Sequence, residues 1–244
     1  MAYARTANIR RLIKSVEGDF LTAHDLCFEA LEIFEKYDDK AGIGITYRDI
    51  ASIMIHEEKY EDAVAYCSKS IAILESIDFW HELNFSYQRM AIIYRNLGDF
   101  EKAHFFLQKG IEDCHKLTGF RVVERLAKLY WTRGYIYEAE GKLEQAIAQM
   151  DSSVYFGNQI NFSFDRWIYD SKGRIYLQQE KYQEALNEFQ QELDLLADGA
   201  FETQNYDYYN TYHPVYGNMV AAYEGLEQYE QAYHLAKKIA AAKD

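Results

Sequence analysis

The sequence predicts an all-α protein, an α-α superhelix made of about six stacked helical hairpins, and three observations predict it. An alanine returns six times in the same local setting, at Ala23, Ala63, Ala103, Ala146, Ala185 and Ala232, at intervals of 40, 40, 43, 39 and 47 residues. A tyrosine stands sixteen residues before every one of these alanines except the first, at Tyr47, Tyr87, Tyr130, Tyr169 and Tyr216. A single proline, Pro214, in 244 residues leaves room for long helices, and no strand alternation competes.

Each landmark along the hairpin has a packing reason. Four residues after the tyrosine comes a small residue (Ala51, Ala91, Gly134, Gly173; Val220 in the last unit), and seven after it Met54, Tyr94, Tyr137, Tyr176 or Tyr223. These offsets share one face of a helix. The pairs Gly18-Asp19, Gly98-Asp99 and Gly141-Lys142 then stop one helix and start the next. A large side chain (Phe20, Tyr60, Phe100, Leu143, Tyr182, Tyr229) precedes the alanine by three residues. Apolar residues follow it by four (Cys27, Cys67, Leu107, Met150, Phe189, Ala236) and mostly by eight (Leu31, Ile71, Ile111, Val154, Leu193), giving the second helix an inward stripe. The hairpins fall approximately at residues 5–38, 40–78, 79–117, 119–160, 162–198 and 205–244. A repeat array has no internal boundary, so residues 1–244 are expected to form a single domain.

The order tyrosine, small residue, aromatic, Gly-Asp, aromatic, alanine closely resembles the tetratricopeptide repeat. The resemblance implies a right-handed solenoid. The family's usual unit is ~34 residues, whereas these average about 42. The extra residues lie between hairpins, in stretches such as 37–43 and 118–120. In this the chain resembles the long-repeat variety found in kinesin light chains and in bacterial regulatory and signalling proteins.

Composition narrows the class. With 26 Lys and Arg against 39 Asp and Glu, the formal charge is −13, so phosphate backbones are repelled and nucleic acid is excluded as the main partner. A basic or neutral protein or peptide is expected instead. No window approaches the ~18 apolar residues of a membrane span, and the N-terminus, with Arg5, Arg10 and Arg11, has no secretory apolar run. Cys27, Cys67 and Cys114 are read as reduced core residues of a cytoplasmic protein. Nucleotide-binding, phosphate-loop, zinc-protease and serine-hydrolase motifs are absent. His56-Glu57-Glu58 and His81-Glu82 lack a second histidine for zinc, so no catalytic residue, metal or cofactor is expected.

A binding surface is expected where the first helices of successive units line the concave side, as the family resemblance implies. One helical step round from the tyrosine face lie Arg48, Ser52 and Ile55, then Gln88, Ile92 and Arg95 with Arg89 beside them. The following units place Trp131, Tyr135 and Glu138, then Asp170, Arg174 and Leu177. Arginines with a tryptophan and a tyrosine suit a peptide held by hydrogen bonds and apolar anchors. The lysine and asparagine clamp of chaperone-binding family members maps onto Asn8, Leu12, Asp49, Phe85 and Arg89, of which only Asn8 and Arg89 carry a suitable donor. That clamp is therefore not present as a set.

Three anomalies stand outside the pattern. Twelve of the 22 tyrosines occupy landmarks, but Tyr206, Tyr208, Tyr209 and Tyr212 crowd into the longest inter-repeat segment. They are read as an aromatic contact surface or as an extension of the last unit's first helix, with Pro214 opening or kinking it. Arg133 and Lys172 replace the apolar Ile50, Met90 and Met219, and must snorkel or find an acid such as Glu138 or Asp170. The last helix stays apolar through Leu235 and Ile239, which predicts cover by another subunit or by a C-terminal effector domain. Two functions follow from these readings: an adaptor that binds a partner segment in the concave groove, and the sensor portion of a bacterial signalling or transcription-regulating protein.

Overall fold

The protein is described by a computed structural model over residues 14, 17–160, 167–197 and 208–241. Among these residues eleven α-helices and one short 3-10 turn account for all regular structure, with no strand. The chain divides into two compact units, Met1–Glu140 and Gly141–Asp244. In the first unit the helices are α1 (Phe20–Lys36), α2 (Lys40–His56), α3 (Tyr60–Ser76), α4 (Trp80–Asn96), α5 (Phe100–Asp113, continued by the 3-10 turn Cys114–Lys116) and α6 (Phe120–Ala139). In the second they are α7 (Leu143–Asn158), α8 (Trp167–Gln178), α9 (Tyr182–Ala197), α10 (Tyr208–Gly225) and α11 (Tyr229–Ala241).

Sequence neighbours pack as hairpins throughout each unit, and the landmark residues form the seams. Ala23, Ala63, Ala103, Ala146 and Ala185 are wholly buried and Ala232 almost so. The i+4 residues Ala51, Ala91, Gly134 and Gly173 are buried beside them. In the first unit α2 touches α4 and α4 touches α6, whereas α1, α3 and α5 have no comparable contact with one another. The first helices are therefore the inner layer of that unit. In the second unit α8 and α10 stand in the same relation.

The turns repeat as faithfully as the helices. The amide of Asp39 bonds back to the carbonyl of Phe34, Lys59 to Met54, Phe79 to Leu74, Asp99 to Tyr94, Lys181 to Tyr176 and Gln228 to Tyr223, each at 2.9–3.0 Å. This is the six-to-one bond of a Schellman cap, which needs a left-handed residue just before the donor. Glycine fills that place at Gly98 (φ 76°), but Asp38, Glu58, Asp78, Glu180 and Glu227 are forced into it at φ 51–59°. A side chain there costs about 1–2 kcal/mol, and the freedom glycine gives the unfolded chain offsets part of this. Glu58→Gly is therefore expected to stabilise the protein by about 0.5–1 kcal/mol, read as a higher urea midpoint. A lowered midpoint would mean that this turn is not left-handed in solution.

Three expectations need correction. Lys172 pairs with Asp151 and Glu188 at 2.7 and 2.8 Å, not with Asp170. Arg133 donates to Gln108 Oε1 at 2.7 Å, not to Glu138. Ala236, assigned to the inward stripe of the last hairpin, is exposed, and so is Tyr229, the large side chain three residues before Ala232. An inward stripe needs a following hairpin to pack on, and among the described residues none follows α11. Pro214 lies inside α10 and does not open it; Tyr208, Tyr209 and Tyr212 fall in the same helix, while Tyr206 lies outside the described residues.

Candidate binding face on the first helices

In the first unit, α2, α4 and α6 bring Arg48, Ser52, Gln88, Arg95, Trp131 and Tyr135 onto one layer, where polar and aromatic contacts cross from helix to helix. Arg48 reaches from α2 to Glu82 on α4 at 2.5 Å and also holds Asp49 at 3.3 Å. Burial opposes the charge on Arg48, but the two carboxylates more than restore it, so its pKa lies above the ordinary arginine value. Burial likewise pushes the Glu82 carboxyl up, and Arg48 outweighs it, holding the group below the usual glutamate range. Ser52 turns inward, its hydroxyl donating to the carbonyl of Arg48 at 3.1 Å.

Between α4 and α6 the link is a buried polar seam. Gln88 donates to the Thr132 hydroxyl at 2.6 Å and accepts from Arg125 at 3.0 Å. Asn84, fully buried, donates to the Gly110 carbonyl at 2.7 Å and accepts from Arg125 Nε at 3.3 Å. Farther along the same helices the Arg95 guanidinium lies 3.8 Å from the centre of the Tyr135 ring, which itself stacks on Trp131 at 6.3 Å and 14°. Arginine, tyrosine and tryptophan thus form one ordered column. Such stacks hold their shape at little entropic cost and are effective anchors for a ligand. Arg89 is exposed on the same helix. In the second unit, Asp170 and Arg174 pair with each other at 2.9 Å on α8, and Asn218 donates to Asp170 at 3.5 Å.

Sequence reasoning placed the column and Arg48 correctly on the first-helix layer but missed Arg125. It is the largest of the fully buried side chains. Burial pulls its pKa down to about 10, which still leaves it charged at neutral pH. The clamp positions do not assemble as an anion site of their own: Asp49 is an acid held by Arg48, and Asn8 lies outside the described residues.

Cys27, Cys67 and Cys114 are buried and form no disulfide with one another, and burial pushes the Cys67 and Cys114 thiols up to about 12 and about 11, away from nucleophilic use at neutral pH. Among the described residues no group of three histidine, cysteine or acidic side chains is placed to hold a metal ion, and no helix is long and apolar enough to cross a membrane.

Paired helices joined by identical turns, with the first helices forming an inner layer, define a helical-repeat protein. Comparison with known proteins gives the family. Residues 42–114 and 127–155 match two family profiles described as tetratricopeptide repeat, and the chain is a tetratricopeptide-repeat protein. Solved structures agree on the fold. The chain is similar to BtubC (BKLC) from P. vanneervenii, with 14% identity and a TM-score of 0.76 over 93% of this chain and 90% of that one. It is also similar to a Rap protein complexed with Competence and Sporulation Factor, with 15% identity and a TM-score of 0.72 over 100% and 75%. A putative kinesin light chain from Podosopora anserina with nearly identical repeats gives 17% identity and a TM-score of 0.63 over 81% and 93%.

Proposed function

We propose that this protein binds a peptide or protein segment along the first-helix layer of its Met1–Glu140 hairpins, as a scaffold and not as an enzyme. The observation that carries this reading is the Arg95–Tyr135–Trp131 column. Its rings and guanidinium are only half-buried, on the layer where the first helices pack side by side. Ordered aromatic and arginine side chains that retain exposure are the usual anchors of an interface. Arg48, Ser52, Gln88 and Arg89 supply the polar complement in this unit, and Asp170 and Arg174 are the contacts proposed for the Gly141–Asp244 unit by itself, with about half of the Arg174 side chain open to solvent. A fold of this kind occupied by a factor, as in the Rap complex, supports the same use.

Trp131→Ala is expected to weaken partner binding about tenfold or more, the loss typical of a central aromatic anchor. Far-ultraviolet circular dichroism and the urea midpoint should change little, because Trp131 is partly exposed. Capture of partner segments from a peptide array by the full chain and by the variant checks this; equal capture by the two would place the site elsewhere. The Rap likeness also favours a sensor, in which binding changes the curvature of the array. Small-angle scattering of the free and peptide-bound chain separates the readings: a passive adaptor leaves the curve unaltered.

A further inference from the structure

The last described helix, α11, carries an open face where every earlier second helix is covered. Tyr229, Tyr233, Ala236 and Ala240 fall on one side of it, at the spacing of a coiled-coil seam. Elsewhere the first helix that follows lies on this side. Cys67 of α3 donates to the Ser86 carbonyl of α4 at 3.3 Å, and Tyr182 of α9 sits so close to α10 that a Cβ added at Gly225 would stand 2.4 Å from its ring. In α11 the same side faces solvent: Tyr229 and Tyr233 are 66% and 65% exposed, and Ala236 and Ala240 are exposed beside them.

The side chains on this face also differ in size from those at the same places in the array. Where α11 has Tyr233, the other hairpins have His24, Val64, His104, Ile147 and Leu186; where it has Ala236, they have Cys27, Cys67, Leu107, Met150 and Phe189. A larger group thus stands in the first place and a smaller one in the second, so a further first helix of the ordinary kind would meet the wrong relief. A second α11 meets the right one. Laid antiparallel about a two-fold axis between residues 233 and 236, it sets each Tyr233 against Ala236 and each Tyr229 against Ala240, whereas a parallel arrangement sets ring against ring. The charges obey the same symmetry. Glu230 and Lys237 flank the seam on one side, seven residues apart, and antiparallel packing brings each glutamate to the other copy's lysine. Both are exposed, Glu230 by 87%, and the His234 ring in the same chain is 3.9 Å from its carboxylate.

We propose that this face of α11 is a dimerisation surface whose partner is α11 of a second copy, the two helices packing antiparallel in an isologous interface. The inference goes beyond the peptide reading and uses none of the residues named for it. A seam of one 13-residue helix from each copy is small for a protein interface. The dimer is therefore reversible, with a dissociation constant of about 1–100 µM.

Sedimentation equilibrium of the full chain, from about 1 to about 300 µM, tests it. The expected result is a mass that rises reversibly from one chain to two. Tyr233→Ala, which removes the protruding ring, and Ala236→Tyr, which fills the space opposite it, should each weaken association about tenfold or more. Both positions are exposed, so circular dichroism of the variants should match the parent. Mixing reads the geometry. Glu230→Lys sets lysine against lysine and Lys237→Glu sets glutamate against glutamate, so each variant alone should dimerise about tenfold more weakly, while an equimolar mixture of the two should regain the parent affinity. A single-chain mass throughout the range assigns the face to a different partner and overturns the proposal. A mass that climbs past two chains, the mark of open head-to-tail assembly, overturns it as well. So does a dimer that survives Tyr233→Ala and Ala236→Tyr, or a mixture of the charge variants that associates no better than either alone.

Discussion

Phe189→Ala is expected to lower the stability of the Gly141–Asp244 unit by about 3–5 kcal/mol, the usual cost of truncating a fully enclosed phenylalanine. The ring has no exposure and packs with Ala185, Leu186, Val215, Tyr216 and Met219. It also lies flat against the backbone of α8, for a Cβ added at Gly173 would stand 2.4 Å from Phe189 Cε1. The tight approach predicts a second result. Gly173→Ala gains about 1 kcal/mol of helix propensity, but it forces a ring with nowhere to go, at about 1–3 kcal/mol, so the net effect is a loss. Gly217→Ala is the control, since nothing lies within 4 Å of its added methyl. Combining Gly173→Ala with Phe189→Leu should cost less than the sum of the two alone. Urea midpoints read all five variants, Phe189→Leu alone included; a harmless Gly173→Ala would show that the ring has room to move.

Removing the ammonium of Lys172 should cost about 2–4 kcal/mol through the Glu188 carboxylate it leaves behind. Lys172 is buried on α8 between Asp151 on α7 and Glu188 on α9, and Glu188 is itself mostly shielded, whereas Asp151 is open to water and contributes little. Lys172→Ala therefore destabilises, while Lys172→Met combined with Glu188→Leu, which removes both shielded charges, should come close to the parent protein. The pH dependence has a definite sign. Burial alone would pull the Lys172 pKa down, but hydrogen bonds to Asp151 and Glu188 outweigh it and hold the pKa above its ordinary value. A raised folded pKa means that this stabilisation is fully present below about pH 10.4, the ordinary lysine value, and is lost as pH rises through the folded pKa. Midpoints measured from neutral to strongly alkaline pH should fall more steeply for the parent than for the double variant, and parallel curves would refute the pairing.

What the sequence made legible was whatever repeats. Ala103 and Tyr87 are readable because their neighbours come from the same hairpin or the next, at offsets that recur in every unit. Lys172 was recognisable as a misplaced charge, but its partners were not, because they come from the flanking helices α7 and α9, at offsets that no repeat landmark marks. Arg125 was invisible for a related reason: the same place in the two preceding hairpins holds Gly42 and Glu82, so no periodicity marks it. The first-helix layer was legible as a set of positions. Its electrostatics were not, because total charge averages over two helix layers of opposite sign: α2, α4 and α6 hold eight lysines and arginines against four aspartates and glutamates, whereas α1, α3 and α5 hold four against ten.

The recurring left-handed joint has one more consequence. Because the chain leaves Phe34, Met54, Leu74, Tyr94, Tyr176 and Tyr223 along the same path, these six connections are interchangeable with one another, whereas α5 passes to α6 through the 3-10 turn Cys114–Lys116. The α2–α3 hairpin, which has such a joint on either side, can then be duplicated or lost without inventing a new connector. The number of hairpins is thus adjustable in steps of about forty residues, independently of the contacts that any one hairpin makes.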